Sequence, residues 1–200
     1  MQAAAHSKGW FWAGEEPEWL VVLMVVVALA LGWVLIAAVG GQTRSSTVGG
    51  LTLRYPADWI QDADLAGMEG MSLYAGGLSG SQPSVAAGVL RELDPNAPVS
   101  LDELVAQRGF AQAQSREMYR VLTSQRARVG SESGVALTYG YVRDAASSPH
   151  LSALPVVIMG VDYIVPHSGK VYVISLEAAA TEFEAQRSTF GRILRSVRFQ

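Results

Sequence analysis

LPVVIMGVDYIVPHSGKVYVISLEA, Leu154 to Ala178, holds two runs rich in β-branched and aromatic residues on either side of His167, Ser168 and Gly169. A short glycine-containing connection between two such runs predicts a β-hairpin. Both runs are almost continuously apolar, which predicts central strands covered on both faces. Working outward, alternating or β-branched runs predict further strands over 51–56 (LTLRYP), 71–74, 85–92, 119–129 and 134–143. Pro56 closes the first of these because it has no N–H to donate to a ladder.

Two helices are expected around this sheet. Ser100 with Glu103 forms a capping-box pattern ahead of LDELVAQRGFAQAQ, in which Leu101, Leu104, Val105 and Phe110 give a partly apolar face. Thr181 with Glu184 repeats the pattern before FEAQRSTFGRIL, where Phe183, Phe190, Ile193 and Leu194 recur at helical spacing. The order of elements predicts an α+β fold: a largely antiparallel sheet flanked by helices in α/β/α layers, spanning 51–200.

Ahead of this domain lies an element of another kind. Leu20 to Val39 reads LVVLMVVVALALGWVLIAAV without a charged residue, and about twenty such residues span a hydrocarbon core as one helix. The tail 1–19 carries Trp10, Trp12 and Trp19, rings suited to the headgroup zone. It also carries Glu15, Glu16 and Glu18 where a cleaved signal peptide wants positive charge, so a retained single-pass anchor is expected. Lys8 before the span and Arg44 after it nearly cancel, and the lean is toward an extracytoplasmic soluble domain. Ala28 and Gly32, with Gly40 on the same row, offer a small-residue stripe on which a second helix can pack. Between span and domain, GGQTRSSTVGG at 40–50 has the composition of a flexible tether.

The opening strand ending in Tyr55-Pro56 with Trp59 after it, the late VYVISLEA strand, and the closing FGRILRSVRF from Phe190 to Phe199 together resemble the PsbP-like superfamily, which includes the Mog1 proteins. The resemblance implies a sheet between helices and a scaffold or binding role without catalysis. It also implies service as an accessory subunit on a larger assembly, commonly on the non-cytoplasmic side of a membrane. A transmembrane anchor departs from the extrinsic photosynthetic members, so a photosystem role is not carried over.

The residues that carry chemistry elsewhere are sparse here. Cysteine is absent, which removes disulfides, thiolate metal sites and thiol catalysis. His6, His150 and His167 make no zinc-hydrolase spacing, and Asp58, Asp62 and Asp64 lack the ligand order of a calcium loop. Asp144, Ser147, Ser148 and His150 share one polar loop, a poor platform for a hydrolytic triad. No cofactor motif is present. Net charge is -3 and the arginines are interspersed with acids, which argues against nucleic acid as partner. Arg116, Arg120, Arg126 and Arg128 crowd one strand region and are candidates for docking an acidic surface. The expectation is a non-catalytic, membrane-anchored accessory or assembly subunit that meets the bilayer and other integral membrane subunits. A binding protein for a small apolar or lipidic ligand is the alternative.

Overall fold

A computed structural model describes residues 18–40, 42–62, 69–75, 83–94, 99–143 and 155–200. The chain divides into two units, Met1–Gln42 and Thr43–Gln200.

Among its described residues the first unit contains one helix, α1 (Glu18–Gly40), of 23 residues. Its charge-free sequence after Glu18 has no polar face, and from Trp19 to Val34 its side chains are exposed throughout except at half-buried Gly32. Among the described residues no helix is long and apolar enough to cross a membrane. The transmembrane span expected over 20–39 is therefore not borne out, although the backbone there is helical. Trp10 and Trp12 lie outside the described residues. Trp19 is exposed, Ala28 and Gly32 lie on α1, and Gly40 is its last residue.

The second unit runs β1 (Thr43–Val48), β2 (Leu51–Pro56), β3 (Trp59–Asp62), β4 (Glu69–Ala75), β5 (Ser84–Glu92), α2 (Leu101–Ser115), β6 (Glu117–Val129), β7 (Glu132–Arg143), β8 (Val156–His167), β9 (Lys170–Ala179), α3 (Phe183–Ser196) and β10 (Arg198–Phe199). Its large sheet has the order β3-β4-β5-β9-β8-β7-β6, and a small sheet has the order β1-β2-β10. Every strand pairing among the described residues is antiparallel, as short connections require of successive strands; β5 with β9 and β2 with β10 pair the same way across longer excursions.

The central hairpin is as expected. Ser168 and Gly169 both have positive φ, which suits a two-residue turn between strands of right-handed twist. Strand β9 is buried along nearly its whole length, and its alternating side chains serve two cores. Tyr172, Ile174, Leu176 and Ala178 face β2 and α3, packing with Leu51, Leu53, Tyr55, Trp59, Phe190, Ile193 and Val197. Val171 and Val173 face the other way, against Leu104 of α2 and Ile164 of β8. The helices therefore cover opposite faces, which gives the α/β/α layering. Strand β8 differs from the expectation of double coverage: Val157 is exposed and its outward positions alternate with buried ones.

The expected tether is the largest correction. Residues 43–48 form β1, paired along β2 from Thr43↔Pro56 to Val48↔Leu51, so only Gly41 and Gln42 separate it from α1. Gly49 and Gly50 both have positive φ, the conformation of a tight hairpin turn that glycine adopts without a Cβ clash. Gly49 and Gly50, read as linker composition, are thus the turn, and Ser and Thr act as strand residues. The Tyr172 hydroxyl donates to the Gly49 carbonyl at 2.8 Å and ties that turn to the central strand.

The helix starts divide. The Glu103 N–H donates to Ser100 Oγ at 3.1 Å, as the capping pattern requires. At α3 the N-cap is Glu182, in helical conformation and without a side-chain cap bond, so the Thr181–Glu184 box does not form. Phe110, expected on the core face of α2, is exposed.

Candidate functional site

The motif residues that carry the family resemblance are structural. Tyr55, Trp59 and Phe190 lie in the main core, and Phe199 packs at its edge. Pro56 ends β2. Ser196, at the end of α3, accepts the Arg54 N–H at 2.8 Å and donates to the Ile193 carbonyl at 2.6 Å. It thereby fastens α3 to β2, and Phe199 then pairs with Leu51.

Chemistry concentrates instead on the α2 face of the sheet. Asp162 and Glu177 interrupt otherwise apolar strands and are both buried. Arg108 of α2 meets Asp162 at 2.6 Å and reaches Ser175 Oγ at 3.3 Å. Arg116, which caps the C-terminus of α2, meets Glu177 at 2.6 Å and stacks on the Tyr141 ring with 4.3 Å to the centroid. Arg143 reaches the other Glu177 oxygen at 3.1 Å. Tyr141 donates to Glu177 at 2.9 Å.

Tyr139 joins the two carboxylates. Its hydroxyl lies 2.9 Å from Asp162 Oδ1 and 2.8 Å from Glu177 Oε1, so a single phenolic proton faces two acceptors and serves one at a time. It reaches across β8 because Gly160 is its cross-strand partner and Glu177 is in turn the partner of Gly160. A Cβ at Gly160 would fall 2.5 to 2.7 Å from ring atoms of Tyr139, so only glycine lets the ring lie flat there.

The electrostatics follow from this closeness. Burial pushes the Glu177 carboxyl up, but Arg116 and the bonds from Tyr139, Arg116 and Tyr141 outweigh it and hold its pKa below the usual value. Burial also works against the charge of Arg116, yet Glu177 and the two tyrosines raise its pKa. Burial, then Asp162, pushes Tyr119 up to about 12. Tyr139 is raised further by burial and by both carboxylates, so it stays a proton donor across the physiological range. Most polar atoms of this cluster are spent on one another, while the buried Tyr119 hydroxyl has no hydrogen-bond partner among the described residues. Its effect is to clamp the C-terminal half of α2 to β7, β8 and β9.

Arg116 is thereby removed from the proposed docking set. Arg120, Arg126 and Arg128 are exposed on β6, an edge of the large sheet, and no ion pair holds any of them among the described residues. Met118, Val121 and Leu122 of the same strand are exposed as well. Asp144, Ser147, Ser148, His150 and Asp64 lie outside the described residues. His167 sits at the end of β8, 3.3 Å from Glu132 and ring to ring with Phe199. No group of three metal-ligating side chains forms among the described residues. Sequence reasoning missed the buried network, although a lone carboxylate in each of two apolar strands was a readable signal, since buried charge demands a partner.

A seven-stranded antiparallel sheet with one helix on each face and a satellite sheet closed by the chain end defines an α+β scaffold of PsbP type. The solution structure of cyanobacterial PsbP (CyanoP) from Synechocystis matches with a TM-score of 0.55 at 14% identity, over 80% of this chain and 92% of that one. LpqN, involved in cell envelope biogenesis of Mycobacterium tuberculosis, matches at 0.49 and 13% identity, over 80% and 91% of the two chains. The Ran-binding protein Mog1p of Saccharomyces cerevisiae matches at 0.49 and 11%, over 79% and 95%. At these identities the likeness is one of fold. No protein-family model matches the sequence, and no curated protein matches it.

Proposed function

We propose that this chain is a non-catalytic accessory or assembly subunit of a larger membrane protein complex, anchored by α1 and docking through its PsbP-type domain on the extracytoplasmic side. The observation that carries the reading is the β6 edge, where three arginines without an ion pair among the described residues stand beside exposed Met118, Val121 and Leu122. Apolar and cationic groups together on an edge strand suit a protein partner better than free solvent. The apolar helix α1, charged only at Glu18, supports anchoring. A connection of Gly41 and Gln42 would keep the domain at a high effective concentration near membrane partners, on the order of millimolar for short linkers.

The test is purification of the tagged full chain from its native membranes in mild detergent. Near-stoichiometric recovery of a defined set of membrane subunits is expected. Recovery of the protein alone, or only with lipid, contradicts the proposal. Protease protection of the domain in sealed inside-out vesicles checks the sidedness, and digestion there would place the domain on the cytoplasmic side.

A further inference from the structure

We infer that β6 accepts an extended acidic segment of a partner protein as an additional strand, read by carboxylates at alternate positions opposite Arg126 and Arg128. This deepens the docking reading above and rests on it. The argument begins at the β6–β7 turn. Gly130 has a φ of +60° and the loop between Val129 and Glu132 is two residues long, so Val129↔Glu132 is a hydrogen-bonded pair. Register is regular from there back to Thr123↔Thr138. Alternation then turns the backbone N–H and C=O groups of Thr123, Gln125 and Ala127 toward β7. Those of Ser124, Arg126 and Arg128 point away from the sheet.

The outward backbone groups therefore belong to the residues whose side chains carry the charge. Arg126 and Arg128 are two apart, so their side chains stand on one face, that of Val135 and Ser133 across the ladder. An added strand offers its side chains to that face with the same period, and cross-strand pairs of opposite charge are favourable. A second copy of β6 would bring arginines against arginines, and such repulsion is a known guard against edge pairing with itself. The edge thus discriminates against its own kind and favours an acidic partner. Toward the start of β6, register shifts between Glu117 and Arg120 and between Val121 and Thr123 interrupt the ladder, which confines the docking frame to Thr123–Val129.

The experiment uses the purified full chain in detergent and two labelled synthetic peptides, one alternating glutamate with threonine and one alternating lysine with threonine, followed by anisotropy. The glutamate peptide is expected to bind at least about tenfold more tightly than the lysine peptide, and to weaken with added salt as exposed pairs do. Arg126→Glu with Arg128→Glu should invert the preference. Ser124→Pro removes one outward N–H while leaving both arginines and the β7 ladder, and should weaken binding about tenfold. A glutamate peptide N-methylated at alternate residues should likewise lose binding on the unaltered protein. Equal or undetectable binding of the two peptides, or undiminished binding after Ser124→Pro and N-methylation, would overturn the inference. If neither peptide binds while membrane subunits still co-purify with the chain, strand addition fails and the broader docking reading stands.

Discussion

Glu177 accepts from Tyr139, Tyr141, Arg116 and Arg143, and its depressed pKa turns those bonds into a pH dependence. A carboxyl whose folded pKa lies below its unfolded value of about 4.3 stabilises the fold above that value, and the contribution is lost as pH falls through the folded pKa. Denaturant titrations should therefore show stability falling on acidification below about pH 4, with a shallower fall in Glu177→Gln. That variant should also lose about 2 kcal/mol at neutral pH, because Arg116 keeps a buried charge with a weaker partner. An unchanged acid slope in Glu177→Gln would remove Glu177 from the account. Gly160→Ala should cost about 2 kcal/mol or more by displacing the Tyr139 ring from both carboxylates. A calorimetric Tm equal to that of the unaltered chain would contradict the placement. Little of this was legible beforehand. Apolar periodicity located the strands of Asp162 and Glu177, but the partners Arg108 and Arg116 come from a helix distant in sequence, and only tertiary packing joins them.

The strands of the large sheet were read well because their signal is local. β-branched runs bounded by turns gave β5, β6, β7, β8 and β9 to within about two residues at each end. The Thr43–Val48 strand was missed because a serine- and threonine-rich stretch next to glycines has the composition of a linker, and only pairing with β2 makes it a strand. Its turn supplies a test at the scale of the element. Replacing Gly49 and Gly50 together by alanine should cost about 2 to 4 kcal/mol, from about 1 to 2 per residue for placing a Cβ at positive φ. Amide exchange should show backbone protection across Thr47 and Val48 in the parent chain and its loss in this variant. Rapid exchange there in the parent would restore the tether. Capping boxes were uneven guides: Ser100 caps α2, whereas α3 begins after a turn in which the Glu182 N–H donates to the Ala179 carbonyl.

At the scale of the whole molecule, the sequence resemblance anticipated the PsbP-type scaffold because Tyr55, Trp59, Ser196 and Phe199 are residues that hold β2, β3, α3 and β10 together. The exposure of the arginines proposed for docking was half legible. Clustered arginines pointed to β6, but which of them face solvent depends on where α2 ends, and Arg116 is turned inward by its cap position. If the proposed function holds, partners are bound through two contributions, the interface on the domain and confinement by α1. Deleting residues 1–42 leaves the second unit whole and removes α1 with whatever confinement and helix packing it supplies. The most direct measurement is therefore a quantitative comparison of partner recovery by the full chain and by the chain lacking 1–42, both tagged and expressed at native level. The account predicts that membrane subunits co-purify with the full chain and that their recovery drops about tenfold or more on deletion. Equal recovery by both chains, or no membrane subunits with either, would contradict it.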